Sequence, residues 1–336
     1  MDTKRSRVGQ FCIKYRTILI LIVLAVVFTS MKPVFMHGMN LLNMMKRMSY
    51  TAVVAFGMTF ILTLGALDLS GGSVAALVGV ALGLLLNRGI PLGISLLAVV
   101  LLATALGLFN AVISVYGKIE PFLVTLATMN IFRGIAMTLS NGRTIPIKAS
   151  GFAYTFGNGT VAGILPTPII IMVLFFILCL FLYRKTKFGF YVKCIGGNTE
   201  AAKVAGINVR AVKIWTYTFS GFLAGISGLI LAALMNAGMS DLGTDLSMDA
   251  ISAAVLGGTA ISGGIGSMWG TVGGCMIMAI LNGGLSLLGA QSQHQMLVKG
   301  CVIIIAVFMD NVLKSKTTVK QDESGSNAQT AKERQP

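Results

Sequence analysis

Residues 68–78 read Asp-Leu-Ser-Gly-Gly-Ser-Val-Ala-Ala-Leu-Val, and residues 245–255 read Asp-Leu-Ser-Met-Asp-Ala-Ile-Ser-Ala-Ala-Val. Five of the eleven positions are identical, and each stretch opens an unusually short apolar segment. Short or glycine-interrupted apolar segments at matching places in two halves of a chain point to a transport pathway. The composition sets the medium in which the two halves fold. Of 336 residues, 55% are hydrophobic and 11% charged, with a mean hydropathy of +0.84. Soluble domains carry roughly 25% charged residues, so this chain cannot cover a water-facing surface. An all-α polytopic membrane protein is expected.

A helical span needs ~20 apolar residues. Runs of that kind cover about 17–35, 48–66, 73–87, 92–113, 122–140, 167–183, 213–235, 249–262, 268–289 and 295–312. Ten spans bring both termini to the same side. The net charge of +15 reflects where the cations sit rather than nucleic-acid binding. With the N-terminus inside, inner segments hold 18 of the 26 basic residues, counting Lys118. Outer loops hold six (Lys32, Lys46, Arg47, Arg88, Arg143, Lys148), and Arg133 and Lys299 fall within spans. This asymmetry is the positive-inside pattern. Spans 2–5 and 7–10 then form an inverted repeat, with the Asp68 stretch starting inside and the Asp245 stretch outside. The expected organisation is a basic cytoplasmic N-terminus (1–16), a permease domain (17–313) and a polar cytoplasmic tail (314–336). The first apolar run follows basic residues as a signal peptide does, but is expected to be a retained span.

No Walker A motif and no HExxH occurs, no metal site is expected, and the five cysteines show no CxxC spacing. Few charges lie at membrane depth: Asp68, Arg133, and Lys299 and Asp310 near span ends. Glycines four apart (Gly79/Gly83, Gly221/Gly225, Gly266/Gly270/Gly274) suit close helix packing in lipid. The long inner segment, about 184–212, contains Gly196-Gly197-Asn198-Thr199-Glu200-Ala201-Ala202-Lys203-Val204-Ala205-Gly206. Asn198 can cap a helix, Glu200 suits its positive end, and Gly206 can end it in the left-handed conformation. The product is a short, smooth helix, either a simple connector or a docking element for a soluble partner.

The string Glu200-Ala201-Ala202 with Gly206 resembles the cytoplasmic loop of ABC-importer permeases. The longer GGNTEAAKVAGINV resembles ribose- and galactose-type permeases, as do residues 57–73, 120–134, 249–274 and 281–289, in family order along nearly the whole chain. The family commonly has Gly-Ile where Ala66-Leu67 stand, valine at Gly71 and glutamate at Ser247. The resemblance implies a ten-span importer fold in a bacterial inner membrane and a permease that is not itself an enzyme. It implies a second permease copy, an ATPase subunit that holds ATP and magnesium, and an extracytoplasmic sugar-binding protein, with no cofactor on this chain. It makes Asn198, Glu200, Ala201, Ala202 and Gly206 the ATPase-coupling residues. Asp68, Ser70, Gly72, Thr125 and Asn282 are expected along the translocation pathway, and Asp241 and Asp245 where the binding protein docks. In the plainer reading Asp68 and Asp245 only cap helices. Nucleoside, autoinducer or amino-acid import and an ion-coupled secondary transporter are the alternatives.

Overall fold

The computed structural model describes residues 2–148, 151–161, 165–291, 293–301 and 304, with side chains from residue 17 onward apart from that of residue 154. The apolar runs form helices: α1 (Asp2–Met31), α2 (Gly38–Thr63), α3 (Gly71–Asn87), α4 (Leu92–Gly117), α5 (Pro121–Ser140), α6 (Thr167–Lys185), α7 (Lys187–Gly197), α8 (Thr199–Val204), α9 (Val209–Met235), α10 (Leu246–Leu256) and α11 (Met268–Leu287). Of four two-residue strands, β1 (Ile145–Pro146) pairs antiparallel with β4 (Ala237–Gly238), and β2 (Thr160–Val161) with β3 (Leu165–Pro166). Residues up to Leu288 form one compact unit. Beyond it, residues 293–301 are helical. Most of the expected tenth span, Asp310 and the tail 314–336 lie outside the described residues.

Helices α4, α5, α6, α9 and α11 are long and apolar enough to cross a membrane, so this is a multi-pass, helical membrane protein. Helix α2 is as long as α4 but begins at Gly38, ten residues before the expected start. Lys46 and Arg47 therefore stand on α2 itself, Arg47 on its exposed side, and not in an outer loop. From Thr51 to Thr63 every residue of α2 is buried, the signature of a core helix. The expected span 249–262 is also corrected. Helix α10 has 11 residues, ~17 Å at 1.5 Å per residue, about half a bilayer core. It stops at Leu256, and Gly258, Gly263 and Gly264 take positive φ in the turns that follow.

Helix α9 sits centrally, packed on α4, α2 and α3. Its approach to α4 is backbone to backbone: a Cβ on Gly221 would lie 2.7 Å from both the Ala103 oxygen and Gly107 Cα. Gly270 and Gly274 of α11 similarly abut the α10 backbone at Gly257 and Ala253. These glycines behave as the four-residue spacing implies. Gly79 has ordinary contacts, nearest 3.5 Å, and Gly266 precedes α11 and faces the Thr63 and Tyr183 side chains instead of another helix.

Candidate functional site: two half-helix openings and a docking turn

Between α2 and α3 the backbone is non-helical from Leu64 to Ser70. Irregular backbone at membrane depth persists only where protein or water satisfies its polar groups, and here hydroxyls do so. The Leu67 carbonyl accepts from Tyr217 Oη (3.1 Å) and Thr125 Oγ1 (3.4 Å), and the Leu69 carbonyl from Ser247 Oγ (3.0 Å). Asp68 is 3% exposed. Its Oδ1 accepts from the Ser70 amide (2.9 Å) and hydroxyl (2.6 Å), and its Oδ2 from Ser220 Oγ (3.1 Å). Asn110 Nδ2 of α4 donates to Ser70 Oγ at 2.8 Å. Four helices (α4, α5, α9 and α10) thus converge on four consecutive residues, Leu67 to Ser70.

The second Asp-Leu-Ser stretch meets the first directly. The Gly72 amide donates to Ser247 Oγ (2.9 Å), and a Cβ on Gly72 would overlap the Gly243 carbonyl. The expectation that the two stretches start at opposite membrane faces is therefore corrected. They open at one level, where Ser220 lies eleven residues into α9, ~17 Å along a ~40 Å helix. The cap reading changes too. Asp68 bonds the amide of Ser70, the residue that precedes α3, while the Asp245 side chain makes no capping bond to α10. A Cβ at Gly71 would lie 3.4 Å from Ser247 Oγ, so two of the positions that depart from the family pattern face each other.

Asp68, Ser70, Gly72 and Thr125 are thus brought together. Asn282 is not bonded to them; its Nδ2 donates to Asp249 Oδ2 on α10 at 3.3 Å. Arg133 of α5 donates through Nη1 to the carbonyls of Ser240 and of Leu242, the latter at 2.8 Å. Its partners are loop carbonyls rather than helix carbonyls, and they fix the segment carrying Asp241, which is exposed, and Asp245, which is half-buried. Elsewhere on α5, Asn130, Gly134 and Thr138 are exposed at four-residue spacing. Asn110, Ser220 and Tyr217 were missed by sequence reading. Their signal was a polar group within an apolar span, near its end for Asn110 and near its start for Tyr217.

The Asn198–Gly206 turn is built as its composition suggests. Asn198 Oδ1 accepts from the Ala201 amide at 3.0 Å, Glu200 pairs with Lys203 at 2.7 Å, and Gly206 (φ +82°) ends α8 in the left-handed region. Asn198, Glu200, Ala201 and Gly206 are exposed. Ala202 is corrected: it is buried within the chain, and the residue presented outward is Val204, 90% exposed. Gly196 lies so close to the end of α2 that a Cβ would overlap the Thr63 carbonyl, which also accepts from the Gly264 amide at 2.8 Å. Phe60 holds this end together, stacking on Phe188 (5.5 Å) and meeting Tyr183 (5.4 Å) and Phe219 (5.7 Å) edge-on. Lys193 of α7 donates to the Tyr183 carbonyl (3.3 Å). Burial, and then the nearby Arg184 charge, lower its ammonium from the ordinary lysine value.

Residues 40–307 match the family described as branched-chain amino acid transport system / permease component. The chain is 37% identical to a ribose import permease protein of Haemophilus influenzae, across 94% of this chain and 98% of that one. It is 37% identical to the ribose import permease protein of Bacillus subtilis (86% and 90%), and 31% identical to a xylose transport system permease protein of Haemophilus influenzae (89% and 96%). No solved structure matches the chain.

Proposed function

The chain belongs to this permease-component family, and from that premise we propose that it is the membrane-spanning subunit of an ATP-driven importer that translocates a monosaccharide delivered by an extracytoplasmic binding protein. In this reading the chain passes the membrane ten times, one pass being the half-length α10 together with the loop that leads into it, and both termini lie inside, in a bacterial inner membrane. A second permease copy completes the channel, and a partner ATPase holds ATP and magnesium. The exposed stripe Asn130–Gly134–Thr138, whose side chains bond carbonyls of their own helix, is small enough for close helix approach and is assigned to that second copy. Asp241 is the docking candidate for the binding protein. Asp245, two residues beyond the Gly243 carbonyl that abuts Gly72, goes with the pathway.

One observation carries the reading. The exposed turn Asn198–Gly206 leads straight into α9, and the middle of α9 holds the irregular Leu67–Ser70 backbone through Tyr217 and Ser220. A push on Val204 is therefore transmitted by one rigid helix to the two half-helix openings. Moving them apart separates Gly72 from Ser247 and exposes hydroxyls and carbonyls, groups that hydrogen-bond a sugar in passing. A secondary transporter has no use for such a turn. The test is reconstitution with ATPase and binding protein, measuring uptake and ATP hydrolysis. Val204→Asp is expected to abolish sugar-stimulated hydrolysis while the chain stays folded. Uptake at the wild-type rate would defeat the coupling role. A binding panel of pentoses, hexoses and branched-chain amino acids against the cognate binding protein decides the substrate class.

A further inference from the structure

We propose that the cleft at the foot of α4 and α9 is a binding site for the headgroup of an anionic phospholipid of the cytoplasmic leaflet. The cleft is about 240 Å³ and is lined by Lys118, Glu120, Arg210 and Lys213 with the apolar Val115, Ile119 and Val209. That is space for several waters at ~30 Å³ each, hence for a phosphodiester. Three cations against one carboxylate leave it net positive, and Lys118 is turned into place by a left-handed backbone (φ +53°).

Two further observations select lipid over a soluble anion. Tyr116 (64% exposed) and Trp215 (66% exposed) stand at the same level of α4 and α9 as the cleft, each two residues along the chain from one of its lysines. Exposed Tyr and Trp mark the headgroup level of a membrane protein. Above Tyr116, the exposed side of α4 continues through Val112 to Phe109 and Leu108, an apolar track on which an acyl chain can lie. Basic pockets between spans on the cytoplasmic side bind such headgroups. The cations also adjoin the joint where Asn208 caps α9 after the docking turn, so an occupied cleft steadies the start of the lever. This siding rests on the orientation proposed above, whereas binding itself does not.

The purified full chain, in nanodiscs of phosphatidylcholine with phosphatidylglycerol, is assayed for retained lipid by mass spectrometry. Wild type is expected to enrich phosphatidylglycerol. Arg210→Gln with Lys213→Gln is expected to cut that enrichment by roughly tenfold or more, since each near-surface cation contributes ~1 kcal/mol. Lys185→Gln with Lys187→Gln, outside the cleft, is expected to leave it unchanged. Equal enrichment in both double variants overturns the site. So does displacement of the lipid by inorganic phosphate at low concentration, which makes the cleft a soluble-anion site. Unchanged lipid with lost ATPase-subunit binding overturns it as well, by assigning the cations to that protein. Because lipid retention needs neither sugar nor ATP, its failure is distinct from failure of the importer reading.

Discussion

The two Asp-Leu-Ser stretches share a sequence and a level in the membrane, yet their aspartates and serines have exchanged tasks. In the first, Asp68 is enclosed and gathers Ser70 and Ser220 around it, so the carboxylate organises the turn. In the second, Asp245 is half-buried, and Ser247 reaches across to the Leu69 carbonyl and the Gly72 amide. The surroundings explain the difference. The first stretch follows the half of α2 that is buried on all sides, Thr51 to Thr63, and lies against α9, α4 and α5. The second follows a loop held from one side by Arg133. A repeated sequence fixes local options, and the neighbours choose among them.

The largest expected effect breaks the contact between the stretches. Gly72→Ala drives a methyl into the Gly243 carbonyl, so that backbone must shift, and a loss of about 3 kcal/mol is expected. Gly71→Ala meets only atoms at 3.4 Å or beyond and is expected within about 1 kcal/mol of wild type. Thermal unfolding of both in detergent decides; equal midpoints would mean that the openings do not touch.

Next comes the asymmetry of the aspartates. Asp68→Ala strands the Ser70 and Ser220 donors, at about 2–3 kcal/mol, and is expected to cost more than Asp245→Ala, since Asp245 is only half-buried. Asp68→Asn still accepts from Ser70 and is expected to keep the fold while lowering maximal uptake. If Asp68→Asn transports as wild type does, the carboxylate is only a structural acceptor.

Ser247→Ala removes both cross-stretch bonds and is expected to cost about 1–2 kcal/mol, with a loss of uptake at least as large as the loss of folded protein. The smallest effect is Tyr217→Phe, which deletes one bond to the Leu67 carbonyl that Thr125 also serves. A cost of about 1 kcal/mol and weakened coupling of ATP hydrolysis to uptake are expected. Full coupling in this variant would narrow the lever to Ser220.

The sequence by itself determined the medium, the helical class, most helix positions, the short helix with its Asn198 cap and Gly206 stop, and the close packing at Gly221 and Gly270. Each rests on a local signal: apolar length, periodic glycine, or a side chain that bonds its own neighbours. Tertiary structure decided the rest. That Ala202 turns inward and Val204 outward depends on what lies beneath a six-residue helix, and composition does not encode it. That α10 ends at half a bilayer depends on Gly257 and Gly258 being used as a stop, although a run through Ser262 reads as apolar. That Asp68 meets Ser220, and Gly72 meets Ser247, depends on contacts 152 and 175 residues apart. Helix geometry sets the direction of a side chain along its own segment. Which partner stands opposite is settled only when several segments pack at once.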